Sequence, residues 1–249
     1  MPRENPNGDS MPNPAKYFYS WSGEDGSFRY YDKENKKTIT VDISEKPFVF
    51  LPLDILSTIK GYSESDKCGF WSNEVRNTSK EVLVVKTTNG VVAKGLYADI
   101  KDKIKAKGAK FSISVYAAMK DSDGRLEIVN IQMYGSAGST WMDFVKKHKI
   151  YEVAVAVKKA EKKKKGKTEY FVPVFEPLKV NQKTDDEAAD LQKELKEYLN
   201  AYFARNASNV ADEDKGSEPA SKSSKSEPKE EDNAPWSFND NDNFDDLLY

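Results

Sequence analysis

The chain has 249 residues, a net charge of −2, one cysteine and one histidine. The single cysteine excludes an internal disulfide, and together with the single histidine it cannot supply a Cys/His zinc site. No apolar run approaches the roughly 20 residues of a membrane span, and the first 16 residues lack the pattern of a signal peptide, so we expect a cytoplasmic protein that contacts no membrane.

Charge is divided unevenly along the chain. Residues 206–249 contain 12 acidic and 4 basic residues, whereas residues 1–205 carry a net charge of +6. This asymmetry predicts a body that binds a polyanion, although two solvated segments with accidental bias would have the same composition. We divide the chain into an N-terminal arm (1–16), a body (17–205), a linker (206–233) and an acidic tail (234–249). The arm, linker and tail are predicted to be disordered because they contain few core-forming residues.

The first third of the body is predicted to be mainly β-structure. Aromatic segments on either side of the turn at residues 23–26 indicate a hairpin, and the alternation that follows indicates a half-buried strand. The remaining predictions for this part are a short buried strand at 46–53 bounded by Pro47 and Pro52, a helix at 54–60, and a long loop at 61–79.

The rest of the body is predicted to contain three β-hairpins, each followed by a helix. Asn89-Gly90 joins two strands, and a short helix follows at 99–108 with Gly108 as its C-cap. The later predictions are a hairpin of 109–120 with 125–135, a helix starting near Ser139 or Thr140, a hairpin of 150–160 with 168–180, and a helix at 185–205 with Leu191, Leu195, Tyr198 and Tyr202 on one stripe.

This order of elements predicts a mainly β fold with a few helices. Many antiparallel strands with a short helix midway favour a closed or partly closed barrel, because closure removes exposed sheet edges. An OB-like small antiparallel barrel, with a C-terminal helix and a disordered tail, fits best.

Signals for catalysis are nearly absent. The sequence has no GxxxxGK[ST], GxGxxG, HExxH or GxSxG motif, and His148 is expected to be a solvated residue of a Lys-rich helix. The spacing of the carboxylates selects no Mg²⁺ site from the 41 acidic residues. We therefore predict a protein that is not an enzyme, with no catalytic residue, no metal and no cofactor.

Aromatic residues interleaved with basic ones are the strongest functional signal. Unpaired bases stack on aromatic rings while Lys and Arg contact the phosphates. Half or more of these aromatics should instead belong to the core, but Trp71 lies in a Gly, Ser and Asn-rich segment and is expected to be exposed. The predicted contacts to single-stranded DNA in the first part of the body are Tyr17, Tyr19, Trp21, Arg29, Tyr31, Trp71, Arg76 and Lys80.

A Lys-rich stretch at 158–167 contains seven lysines and one glutamate. These lysines could follow a phosphate backbone from a hairpin tip, or they could protect a sheet edge and add solubility. As DNA contacts the stretch contributes Lys158, Lys159, Lys162, Lys163, Lys164, Lys165 and Lys167.

The tail combines acidic and large apolar side chains, ending in "DNFDDLLY". A positively charged OB-like body, a linker and such a tail resemble single-stranded DNA-binding proteins of bacteria and bacteriophages, most closely phage replication proteins with an aromatic C-terminal residue. The resemblance implies that the tail binds replication proteins such as polymerase, primase or helicase, and competes with DNA. The tail residues concerned are Trp236, Phe238, Asp240, Asp242, Phe244, Asp245, Asp246, Leu247, Leu248 and Tyr249.

The function predicted from these features is sequence-tolerant binding of single-stranded DNA in phage replication, recombination or repair. A replisome adaptor, whose lysines serve only solubility, is the first alternative. A strand-annealing recombinase or a Mg²⁺-dependent nuclease is the second. Each makes a different prediction for binding and cleavage of paired and unpaired strands.

Overall fold

A computed structural model describes residues 11–63 and 67–213, with side chains up to residue 207. The fold is mainly β, as the sequence predicts. In chain order its elements are β1 (Phe18–Ser22), β2 (Ser27–Asp32), β3 (Lys37–Val41), β4 (Phe48–Ser63), β5 (Cys68–Ser72), β6 (Leu83–Thr87), β7 (Gly90–Gly95), α1 (Tyr97–Lys105), β8 (Ala109–Lys120), β9 (Leu126–Tyr134), α2 (Gly135–Lys147), β10 (Ala154–Lys165), β11 (Thr168–Leu178) and α3 (Gln182–Glu213).

The strands form one large mixed sheet. Its hydrogen-bonded path is β3-β2-β1-β9-β8-β4-β5-β6-β7, and β10 pairs with β4 and β11 beside this path. The pairing of β1 with β9 is parallel, so the prediction of a purely antiparallel arrangement is wrong at that point. Among the described strands no pairing joins β3 to β7. In the described residues no helix is long and apolar enough to cross a membrane.

Strand β4 is 16 residues long and organises the sheet. The predicted strand end at Pro52 is wrong, because the chain accommodates this proline at a bulge between Pro52 and Asp54 and then continues. The predicted helix at 54–60 is wrong for a related reason. Leu56 and Ile59 are buried on opposite faces of the strand, and apolar residues on both faces imitate the spacing of a helix.

The predicted loop at 61–79 contains a strand. β5 pairs with the end of β4 through Lys60–Trp71 and Gly61–Phe70.

Two helix boundaries also differ from prediction. α2 begins at Gly135, and the Ser139 hydroxyl donates a hydrogen bond to the Gly135 carbonyl rather than capping a helix. The C-cap of α1 is Ala106, two residues before Gly108.

The core has two parts, one on each side of the sheet. The larger part lies against α1 and α2 and contains Trp21, Phe28 and Trp141. The smaller part lies under α3, where Leu195 and Tyr198 are buried against the sheet, as the predicted stripe requires. α3 thereby covers part of this sheet face, and among the described residues no other helix packs into the smaller core.

Part of the predicted N-terminal arm packs on the body. Ala15 is buried in the smaller core, and the Lys16 backbone amide donates a hydrogen bond to the Ile128 carbonyl at 2.8 Å. Residues 1–10 of this arm lie outside the described residues, as does the predicted tail. At the other end, α3 continues to Glu213, eight residues beyond its predicted end at Arg205.

Candidate nucleic-acid interface

A row of basic and aromatic residues crosses four strands of the sheet face that α3 partly covers. Lys110 of β8 pairs with Lys60 of β4, which pairs with Trp71 of β5, which pairs with Lys86 of β6. Because directly paired residues project from the same face of a sheet, these four side chains share one surface.

Two further rows lie beside the first, at intervals of two residues along β8. Ser112 pairs with Tyr134 of β9, and Ser114 pairs with Gln132. Gln132 pairs in turn with Ser20 of β1, which pairs with Arg29 of β2. Since alternate residues of a strand face the same way, these rows lie on the same surface as the first.

Exposed aromatic rings concentrate on this surface. Five aromatic side chains there are 37–57% exposed, and in the described part of the chain only Tyr151 is an exposed aromatic elsewhere. We call the surface the aromatic face. It comprises Phe18, Tyr31, Tyr62, Trp71 and Tyr134, with Arg29, Lys60, Lys86 and Lys110 among them.

Cations lie close to the rings. The Lys110 ammonium is 5.8 Å from the centre of the Tyr134 ring. Burial raises the pKa of the Tyr134 phenol, and the positive charge of Arg29 partly offsets this. Arg29 also pairs with Asp25 at 2.6 Å. Burial raises the pKa of Asp25, but hydrogen bonds from Arg29, Ser22 and Ser27 outweigh it and leave the pKa at about 2.

Three of the predicted stacking residues lie on the opposite side of β1. Trp21 is only 3% exposed, and its indole nitrogen donates a hydrogen bond to the Phe171 carbonyl at 3.0 Å, so it cannot stack on a base. Tyr17 and Tyr19 pack against the core, each with its ring centre 5.1 Å from that of Tyr30. The structure therefore does not bring Tyr17, Tyr19 or Trp21 together with the exposed rings of the aromatic face.

The other predicted residues of the first part of the body have mixed positions. Arg29, Tyr31 and Trp71 lie on the aromatic face, although Trp71 is exposed from a strand rather than from the predicted loop. Arg76 forms two hydrogen bonds to the Asp54 carboxylate at 2.7 and 2.8 Å, which neutralises its charge. Lys80 lies in a turn after β5, outside the aligned rows.

The predicted lysines at 158–167 lie on β10 and in the turn after it, and all are exposed. Lys158 pairs with Glu176 at 2.8 Å and Lys162 with Glu169 at 2.6 Å. The structure does not place these lysines on the aromatic face. The predicted tail residues lie outside the described part of the chain.

Sequence reasoning missed Phe18, Tyr134, Lys60, Lys86 and Lys110 as interface residues. Alternation along β1 separates Phe18 from Tyr17 and Tyr19 correctly, but it does not indicate which of the two faces is covered. Lys60 and Lys110 become neighbours only through the pairing of β4 with β8.

Comparison with protein-family models, with curated proteins and with solved structures gave no match.

A buried polar network marks the boundary between the aromatic face and α3. The Glu74 carboxylate accepts hydrogen bonds from the Ser114 hydroxyl and, at 2.8 Å, from the Tyr116 hydroxyl. The Glu74 backbone amide donates to the Tyr202 hydroxyl of α3 at 2.7 Å. Burial raises the pKa of Glu74, and the bonds from Ser114 and Tyr116 oppose this.

In the described residues no group of three His, Cys, Asp or Glu side chains is arranged to hold a metal ion.

Proposed function

We propose that this protein binds single-stranded nucleic acid, with single-stranded DNA as the ligand in phage replication, recombination or repair. The single observation that carries the proposal is the aromatic face, where five exposed rings lie among Lys60, Lys86 and Lys110, with the Arg29–Asp25 pair beside them. Rings stack on bases of any sequence and the cations contact phosphates, so binding is sequence-tolerant. The proposed role includes no catalytic step and no cofactor.

The size of the face supports a ligand of several nucleotides. The face spans six strands, from β2 to β5 along the sheet path, and every one of them except β8 carries one of its five exposed rings. At about 4.8 Å between neighbouring strands, the face is roughly 24 Å wide. Exposed rings at both margins, Tyr31 on β2 and Trp71 on β5, would hold bases at the two ends of this width.

The finer features of the fold and the tail belong to the same proposal. β4 pairs with three strands, β10 near its start, β8 along most of its length and β5 at its end, which is the kind of sharing that a partly closed, OB-like barrel needs. We propose that residues 234–249 compete with DNA and recruit replication proteins such as polymerase, primase or helicase. The proposed location is the cytoplasm of the host cell.

Substitution of Trp71 and Tyr134 by alanine tests the face. Each change should weaken binding of labelled oligo(dT), measured by fluorescence anisotropy, by about five- to a hundredfold, because stacking contributes about 1–3 kcal/mol per base. Tyr134→Phe should bind nearly as well as the unsubstituted protein, since the ring is retained. Tyr151→Ala is the matched control, because Tyr151 is 69% exposed but lies away from the face.

Salt dependence and fluorescence give two independent readouts. The double change Lys60→Gln and Lys110→Gln should reduce the salt slope by about 1.4, at roughly 0.7 per phosphate contact on a single strand. In a Trp236→Phe background, quenching of tryptophan fluorescence by oligo(dT) should fall sharply in Trp71→Phe, because the two remaining tryptophans, Trp21 and Trp141, are buried. Binding that is unaffected by every change on the face would contradict the proposal.

A further inference from the structure

The lysine-bearing strands β10 and β11 leave the sheet as a two-stranded ribbon. β10 is hydrogen-bonded to β4 only at Val155, Ala156 and Val157, and among the described strands β11 pairs with β10 alone. Beyond a register shift after Val157, the two strands pair from Ala160 onwards up to Lys165–Thr168. A two-residue turn closes the ribbon, with Gly166 at a φ of 59°, which favours glycine.

One side of the ribbon is fixed to the body, and its tip projects beyond that contact. The Phe171 amide donates a hydrogen bond to the Gly23 carbonyl at 2.7 Å, and the Phe171 carbonyl accepts the indole N–H of Trp21. Residues 163–170 lie beyond this anchor, toward the tip, where they form three residue pairs and the turn. At about 3.3 Å per residue, they project by roughly 10–13 Å.

The tip is positively charged and presents no exposed aromatic ring. It carries four lysines, and its only acid, Glu169, pairs with Lys162 at 2.6 Å. Within the described part of the chain, Lys163, Lys164 and Lys167 have no carboxylate at ion-pairing distance. Tyr170 is the one aromatic residue of the tip and is half-buried. The tip can therefore contact phosphates but lacks the stacking surface that unpaired bases need.

We propose that the ribbon tip is a second nucleic-acid site and that its ligand is duplex. The major groove of a duplex is about 12 Å wide and 8.5 Å deep and admits a two-stranded β-ribbon. The projecting length of the tip is sufficient to reach the floor of this groove, and the lysines of β10 and of the turn would meet the phosphates of a groove wall.

The ribbon is anchored beside one end of the aromatic face, on the side of β1 that carries Trp21. The ribbon is anchored to the turn at Gly23, which follows β1. β1 runs parallel to β9 with Ser20 opposite Gln132, so this turn lies at the end of the face that carries Tyr134. If the face binds an unpaired strand, as proposed above, the protein recognises the place where a duplex opens into a single strand.

Three DNA probes and the full-length protein test this inference by anisotropy at about 0.15 M salt. The probes are an oligo(dT) strand, a blunt duplex, and the same strand joined to that duplex. The joined probe should bind at least about tenfold tighter than the strand alone. The triple change Lys163→Gln, Lys164→Gln and Lys167→Gln should abolish this advantage and reduce the salt slope for the duplex by about 2.7, at roughly 0.9 per contact. Its affinity for the strand alone should change by less than about twofold.

A second triple variant, Lys46→Gln, Lys120→Gln and Lys179→Gln, is the matched control. It removes the same charge from exposed lysines that line a pocket near Ala154 and Leu178, at the opposite end of the β10–β11 hairpin, and it should retain the advantage of the joined probe. Equal weakening of all three probes by the ribbon variant, or a joined probe that binds no tighter than the strand, would overturn the inference. Absence of strand binding would instead contradict the proposed function, and the blunt duplex would still test the ribbon.

Discussion

At the scale of single residues, Glu74 couples the sheet to α3. Its carboxylate is buried and accepts hydrogen bonds from Ser114 and Tyr116, while its amide donates to Tyr202. Burial raises the pKa of this carboxyl above its usual value of 4.5. A raised pKa means that the protonated form favours the folded state, so this contribution is complete below pH 4.5 and is lost as the pH rises through the folded-state pKa.

The change Glu74→Gln should remove this pH dependence. The variant should gain stability relative to the unsubstituted protein as the pH rises from 4.5 to 8, because glutamine has no charge to bury. Urea unfolding midpoints at several pH values measure the difference, with Glu197→Gln on the exposed side of α3 as the control. If the midpoints of the Glu74 variant and of the unsubstituted protein changed in parallel with pH, the raised pKa of Glu74 in the folded protein would be contradicted.

At the scale of elements, the end of β4 passes very close to the segment before β8. A Cβ atom added at Gly61 would lie 2.7 Å from the Gly108 carbonyl oxygen and 2.9 Å from the Ala109 Cα. Both are backbone atoms, so the strands must separate to admit a methyl group. Gly61→Ala should therefore destabilise the protein by about 1–3 kcal/mol, the usual cost of overpacking, and should lower its thermal midpoint. Gly69→Ala on the neighbouring strand β5 should have little effect, since its Cβ would have only an ordinary 3.8 Å contact.

The elements also show what the sequence can predict. Hairpins with strong turn residues, such as the one at Asn89-Gly90, are confirmed, and so is the apolar stripe of α3 with Leu195 and Tyr198. The path of β4 could not be predicted, because burial on both faces removes the alternation that marks a strand. The aromatic face was predicted only in part for a similar reason. Alternation sorts residues into two sets, but only long-range pairing and α3 decide which set is covered.

At the scale of the whole molecule, the body and the C-terminal region carry net charges of opposite sign. Residues 1–205 carry a net +6 and residues 206–249 a net −8. Residues 234–249 contain four aspartates and six large apolar side chains and no Lys or Arg. Carboxylates resemble phosphates in charge, and aromatic rings can occupy the same surfaces as bases. This composition is complementary to the aromatic face.

Deletion of residues 234–249 should therefore tighten binding of oligo(dT), and the gain should be largest at low salt and decrease as the salt concentration rises, because screening weakens the competing charges. Anisotropy titrations at several salt concentrations measure the effect. Replacing Asp240, Asp242, Asp245 and Asp246 by asparagine in the full-length chain removes the charge and keeps the length. If electrostatic competition causes the gain in affinity, this variant should show most of that gain. Equal affinity with and without the segment would leave partner recruitment as its only proposed role, whereas a gain independent of salt would assign the competition to its apolar side chains.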